Sequence, residues 1–411
     1  TGIYSAPGHP IVTGGQKVEI SDSGIALVWN GETLPSIEFS PSSPEGDYFE
    51  ISGVTIGVKF HWERKESQRF RGRLRLVVED GKVRAINDVD VEEYLKSVIS
   101  SEMSATASLN LLRAHAVISR SWLLAQIKEK RADNPEVIIR DTETERVRWW
   151  DRSNHRTFDV CADDHCQRYQ GITRVSSPNA VGAVGDTCGQ VLTYDGEICD
   201  ARFSKCCGGI LETFGTCWED DTAHPYLAAV RDMQIETPVP DVTTANGAKK
   251  WIEDSPQSFC NTSDSRILSQ VLNNYDRETA DFYRWKVDYT AEELSALVNR
   301  KLGDDLGEIT ALTPLSRGES GRIYRLKITG TKKSIIIGKE LEIRRVLSES
   351  HLYSSAFYVT HTGNRFTLHG AGWGHGVGLC QIGAAVMGDM GYSYREILAH
   401  YYKGAEIKTV Y

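Results

Sequence analysis

Hydrophobic and polar positions alternate in short runs over the first 80 residues. The runs Gln16–Ile20, Ile25–Trp29, Phe49–Ile51, Thr55–Phe60 and Arg71–Val78 are separated by Gly, Pro, Ser and Asp, which predicts short strands joined by turns. Ser40–Asp47, with two prolines and three serines, reads as a loop. The period then changes. Val91, Tyr94, Leu95, Val98 and Ile99 recur at the spacing of one helical face, and Asp90 followed by Glu93 has the form of a capping box, so a helix starts at Asp90. A second helix, Ser108–Ala125, is apolar on most sides and is expected to be buried. Arg113 and Arg120 lie seven positions apart on it, nearly on one face, and in such surroundings they need a partner or a ligand.

Residues 126–154 are charged and hydrophilic, a helix end and loop. β-rich runs return at Gln190–Tyr194 and Ile198–Phe203. A polar section, 220–305, carries helical patterns at Asp264–Tyr275 and Ala291–Leu302 and reads as an insertion. Strands are predicted at Ile323–Ile328, Ser334–Ile337, Phe357–Thr360 and Arg365–Leu368. A glycine-rich loop, a helix of small residues at Gln381–Met390 and a last helix from Ser393, boxed by Glu396, close the chain. The expected class is α+β, with a β-rich subdomain at 1–80 and a body at 81–411 that includes the 220–305 insertion.

Composition narrows the function. Of the residues, 40% are hydrophobic and 25% charged, ordinary values for a folded chain. The net charge of -9 leaves no basic excess for the phosphates of a nucleic acid. No apolar run approaches the roughly 18 residues a membrane-spanning helix requires. The first residue is Thr, consistent with a processed or trimmed start, so secretion cannot be read from the N-terminus. Nine cysteines are many for a reduced cytosolic enzyme, and an odd number cannot all pair within one chain. Seven of them fall between Cys161 and Cys217, which favours a metal site, a local disulfide framework, or both; Cys260 and Cys380 stand apart.

Two groups of residues carry chemistry. His155, Cys161, His165 and Cys166 offer two imidazoles and two thiolates within twelve residues, a ligand set for tetrahedral zinc. Four protein ligands leave no open position, so such a metal is structural. The alternative is a Cys161–Cys166 disulfide in an oxidising compartment. Adjacent Cys206 and Cys207 are poorly placed to bond to each other, and Cys188, Cys199 and Cys217 are possible partners. The second group is the loop Gly370–Gly378, with five glycines around Trp373 and His375. Glycines let a ligand or another segment approach the backbone, and an indole face can stack on a sugar ring; a tight structural turn with a buried histidine is the other reading.

The segment Asp90-Val-Glu-Glu-Tyr-Leu-Lys-Ser-Val-Ile-Ser-Ser-Glu-Met resembles the family of stage II sporulation protein D and the amidase modifier LytB. The resemblance continues through Leu112-Arg-Ala-His-Ala-Val-Ile-Ser-Arg-Ser-Trp and Ser204–Gly209. It is strongest at Gly372-Trp-Gly-His-Gly-Val-Gly-Leu-Cys-Gln-Ile-Gly-Ala and ends with Tyr401-Tyr-Lys-Gly. These motifs, in order and with gaps between them, cover roughly residues 80–411. The resemblance implies a peptidoglycan lytic transglycosylase with Glu102 as its catalytic acid. One carboxylate suffices there: it protonates the glycosidic oxygen, the muramic 6-hydroxyl closes a 1,6-anhydro ring, and the carboxylate accepts the hydroxyl proton. Such an acid must be protonated near neutral pH, which burial beside apolar groups favours.

Arg120 occupies the family's arginine position, and His115 sits where relatives often carry glutamine. Cysteines at 206, 207 and 380 replace small hydroxyl residues usual in these motifs. Arg113, Arg120, Ser204, Trp373, His375 and Gln381 are the expected substrate-binding residues, in a groove with Glu102. The resemblance also supports structural zinc at His155, Cys161, His165 and Cys166, and a place in the cell envelope, periplasmic or extracellular. A second reading, from the LytB branch, is a non-catalytic peptidoglycan-binding amidase modifier whose partner is a cell-wall amidase. A zinc-dependent hydrolase lacks support, since no His-Glu-x-x-His occurs.

Overall fold

The computed structural model describes residues 2–56, 64–104, 106–131, 140–149, 155–162, 165–174, 177–218, 224–235, 237–271 and 281–411. The class is α+β, and the chain forms two compact units, each interrupted in sequence: residues 1–105 with 155–188, and residues 106–154 with 189–411.

The first unit is built on an antiparallel five-stranded sheet in the spatial order Lys82–Asp88, Arg73–Glu79, Ser36–Pro41, Tyr4–Ala6, His9–Val12. A smaller three-stranded sheet (Glu19–Ile20, Leu27–Trp29, Glu32–Leu34) and the hairpin Phe49–Ile56/Arg64–Phe70 complete its strands. Tyr4, Val12, Leu27, Trp29, Ile37, Phe39 and Leu76 form one apolar core. The strand expected at Thr55–Phe60 is the end of Phe49–Ile56, and residues 57–60 lie outside the described ones.

Helix Val91–Glu102 begins where the sequence predicts it, and buries Tyr94, Leu95, Val98 and Ile99. Asp90 accepts from the N–H groups of Glu92 and Glu93. Glu93 does not return the bond; its carboxylate is taken by Lys96 and Arg71. Met103, buried, caps the C-terminal end. Helix Pro178–Asp186, with Ser177 as N-cap and proline in its first turn, packs in the same unit.

The second unit holds helix Leu109–Arg131, which runs six residues beyond the predicted end. Its main sheet has the order Arg140–Asp141, Glu145–Val147, Ser334–Gly338, Ile323–Gly330, Ile309–Arg317. A three-stranded antiparallel sheet sets Arg365–Ala371 between Arg284–Thr290 and Phe357–Thr362. Part of the polar 220–305 section is therefore a strand of this sheet, and Ala291–Leu302 is the predicted helix, with a complete capping box at Thr290 and Glu293. The helix expected at Asp264–Tyr275 is described as Ser265–Val271, and 272–275 lie outside the described residues. Leu294, Val298, Leu326, Ile328, Ile337, Phe357 and Leu368 belong to one large core. Gln190–Tyr194 pairs with the C-terminal Glu406–Thr409, and Phe203–Ser204 lies parallel to Leu379–Cys380.

Candidate functional site

In the first unit, Glu102 is the last residue of its helix and half-buried. Its Oε1 accepts a hydrogen bond from the Arg168 main-chain N–H at 3.2 Å. The segment that supplies this donor is itself pinned to the helix. The Gln170 N–H donates to Ser97 Oγ at 3.1 Å, the Tyr94 hydroxyl to Gln167 Oε1 at 3.3 Å, and Tyr94 stacks on Tyr169 at 4.9 Å. Burial pushes the Tyr94 and Tyr169 hydroxyls up, so both stay neutral donors.

Two residues before Arg168, the same segment carries Cys166. The side chains of His155, Cys161, His165 and Cys166 come together, each offering one donor atom within 4.8 Å of the others. Cys166 Sγ lies 3.7 Å from His165 Nδ1 and 3.9 Å from His155 Nδ1, and Cys161 Sγ lies 3.9 Å from His165 Nδ1. Tetrahedral zinc with bonds of about 2.3 Å to sulfur and 2.0 Å to nitrogen places such atoms about 3.5 Å apart. The donor set fits a four-coordinate metal. The two cysteines are unbonded to each other. The predicted ligands are thus brought together, and the segment that carries Cys166 also supplies the Arg168 N–H that holds Glu102.

The expected substrate-binding residues all belong to the second unit. Arg120 is fully buried and donates to the Gln190 carbonyl at 2.9 Å, so it ties its helix to strand Gln190–Tyr194. Arg113 is half-buried on the same helix. Gln381 is buried and pairs with His115 Nε2 at 3.1 Å, an interaction inside the unit. Ser204 is buried, and its hydroxyl has no partner among the described residues. Trp373 is half-buried, stacked on Phe282 at 4.8 Å and edge-on to Tyr353. Two main-chain bonds join it to Cys206.

His375 is half-buried, with its ring edge-on to Trp218 at 5.0 Å; Nδ1 accepts the Val377 N–H. Burial, then the positive charges of Arg202, Arg322 and Arg344, push its imidazole well below the ordinary range and keep it neutral. The positive φ of Gly372, Gly374, Gly376 and Gly378 explains the alternate glycines of this loop. At Gly376 a side chain would run into the buried Arg322 guanidinium, which donates to the carbonyls of Cys207 and Gly374.

A second cluster escaped the sequence reading. Cys207, Asp232, Cys260 and Cys380, all buried, also bring their donor atoms within 4.8 Å of one another. None of the nine cysteines is in a disulfide, so the pairing considered for Cys206 and Cys207 with Cys188, Cys199 or Cys217 is absent; Cys207 faces Cys260 and Cys380 instead. The available signal was the presence of cysteines in two separate motifs where hydroxyl residues are usual.

The chain matches the Stage II sporulation protein family over residues 79–194 and a domain of unknown function over residues 212–378. It is 24% identical over 327 residues to Stage II sporulation protein D of Bacillus amyloliquefaciens, covering 79% of this chain and 75% of that protein. The same protein of Bacillus subtilis (strain 168) is also 24% identical, with 79% and 76% covered. The Amidase enhancer of Bacillus subtilis (strain 168) is 25% identical over 345 residues, covering 77% of this chain and 40% of that protein.

Proposed function

Because the chain belongs to the group of stage II sporulation protein D and the amidase enhancers, we propose that it acts on peptidoglycan in the cell envelope, with Glu102 cleaving glycan strands. The observation that carries the catalytic part is the fixing of the Glu102 carboxylate by the Arg168 N–H, on the segment organised by the His155, Cys161, His165 and Cys166 cluster. A carboxylate held by main chain on a packed helix has the positional definition that proton transfer requires.

In this reading Glu102 donates its proton to the glycosidic oxygen between muramic acid and glucosamine as the bond to the anomeric carbon breaks. The muramic 6-hydroxyl attacks that carbon, its proton passes to the Glu102 carboxylate, and a 1,6-anhydro end is left; no water is consumed. His155, Cys161, His165 and Cys166 would hold zinc, which would supply no chemistry to this step; their part would be to fix the segment that orients Glu102. In the second unit the partly buried Trp373 is the best-suited sugar contact, and Ser204, whose buried hydroxyl has no partner among the described residues, would reach a sugar only once the segment around it opens. His375, kept neutral, and the half-buried Arg113 complete the proposed binding set. Arg120 and Gln381, both buried, serve it by positioning their helices.

The second reading is a non-catalytic glycan-binding protein that stimulates a cell-wall amidase. The resemblance to a named amidase enhancer favours it, and lends it more direct support than cleavage receives, since none of these three relatives' names states glycan cleavage. Clearance of a stirred peptidoglycan suspension separates the two. Cleavage predicts clearance by the wild type and none by Glu102→Gln, with both sedimenting with the wall. Equal binding without clearance, and faster release of stem peptides when a purified amidase is added, supports the modifier.

A further inference from the structure

The buried cluster of the second unit has the dimensions of a metal–thiolate centre. Cys207 Sγ lies 3.5 Å from Cys260 Sγ and 3.5 Å from Asp232 Oδ2. A tetrahedral ion with bonds of about 2.3 Å to sulfur and 2.0 Å to oxygen sets sulfurs about 3.8 Å apart, and sulfur and oxygen about 3.5 Å apart. The sulfur separation is far beyond the roughly 2.05 Å of a disulfide.

Main-chain donors are already aimed at the ligand atoms. The Cys207 N–H points at Cys380 Sγ (3.3 Å), the Gly209 N–H at Cys207 Sγ (3.4 Å), and the Cys260 N–H at Asp232 Oδ2 (3.1 Å). Such donors are placed to hydrogen-bond the ligand atoms of a bound ion and hold them in position. Asp232 Oδ1 accepts the Tyr401 hydroxyl at 2.8 Å, leaving Oδ2 turned toward the sulfurs. This carboxylate has 0% exposure, and among the described residues its one ion-pair partner is His400 at 3.6 Å. Its Oδ2 also receives the Cys207 thiol at 3.5 Å, so a cation shared with the three cysteines would take the place of that thiol proton and neutralise the buried carboxylate.

We propose that Cys207, Asp232, Cys260 and Cys380 form a second metal site, separate from the histidine–cysteine cluster, that binds a thiophilic divalent ion of the zinc class. Three sulfurs and one oxygen select zinc over magnesium or calcium, and four protein ligands in a buried setting make the site structural. Its ligands come from four stretches that are distant in sequence: the turn after Phe203–Ser204, residue 232, residue 260, and the start of helix Gln381–Asp389. One ion would clamp them together. Through Cys206, whose N–H and carbonyl pair with Trp373 at 3.0 and 2.8 Å, it would also brace the Gly370–Gly378 loop.

The test is metal analysis of the full chain purified without chelator. The expected content is two equivalents of zinc in the wild type, one in Cys260→Ser, and one in Cys161→Ser/Cys166→Ser. The last protein, loaded with cobalt(II), should show a sulfur-to-cobalt charge-transfer band, and a chelator should lower its Tm. Cys161→Ser/Cys166→Ser folding with no bound metal would overturn the proposal, as would Cys260→Ser with unchanged metal content. A Cys207–Cys260 disulfide in the freshly purified protein would also overturn it. Should Cys260→Ser fail to fold, the metal content and cobalt spectrum of Cys161→Ser/Cys166→Ser decide.

Discussion

Replacing His115 with glutamine should make the second unit less sensitive to acid. His115 sits on helix Leu109–Arg131 with no exposed surface, Nδ1 at 3.2 Å from Ser119 Oγ and Nε2 at 3.1 Å from the Gln381 amide. Phe203 packs edge-on at 4.6 Å. Burial, and then the charge of Lys205, push the imidazole from its ordinary 6.5 down to about 3. Between those two values the unfolded chain binds a proton that the folded chain refuses. The stability associated with neutral His115 is therefore present above pH 6.5 and drains away as the pH falls toward 3. One proton across this window is worth about 1.4 kcal/mol per unit, which gives about 2 kcal/mol between pH 7.5 and pH 5. Glutamine stays neutral, spans a similar distance and can still meet Gln381. Urea unfolding of wild type and His115→Gln at both pH values reads the difference, and all other titrating groups cancel. The wild type should lose about 2 kcal/mol more than the variant. Losses that agree within about 0.5 kcal/mol would refute the reasoning.

Glu212→Gln should destabilise by about 3 kcal/mol in the same assay. Its carboxylate accepts from the Thr213 and Glu319 N–H groups and the Thr213 and Thr216 hydroxyls on one oxygen, and from the Ser320 N–H and hydroxyl on the other. An amide nitrogen must then face donors, and a loss under about 1 kcal/mol would contradict that account. Gly370→Ala should unfold at a clearly lower temperature or fail to accumulate, because its methyl group would enter the Trp285 ring; a Tm within about 2 °C of wild type would count against it. Cys161→Ser should lower both zinc content and Tm, and an unchanged metal analysis would defeat the histidine–cysteine site.

Local signals in the sequence were legible where one residue set the geometry. Asp90 and Ser393 start their helices as expected, and Ala291–Leu302 has the predicted ends. Other elements were hidden for physical reasons. Pro314 sits within Ile309–Arg317, which tolerates it because this is an edge strand. Gly182 and Gly185 weaken the helical signal of Pro178–Asp186. Helix Ala245–Asp254 buries only Ala248, Trp251 and Ile252, too short a stripe to reveal a period. The histidine–cysteine cluster was readable because its ligands lie within twelve residues. Cys260 and Cys380 stood apart in sequence and meet Cys207 only through the tertiary fold, which no local pattern records.

The most direct measurement is mass spectrometry of the glycan ends released from purified peptidoglycan, both intact and stripped of stem peptides, by wild type and by Glu102→Gln matched for zinc content and Tm. Our account predicts 1,6-anhydromuramic ends from the wild type and none above background from the variant. Anhydro ends at equal yield from both proteins, or ends from neither while both stay bound to the glycan, would contradict the assignment of Glu102 as the cleaving acid.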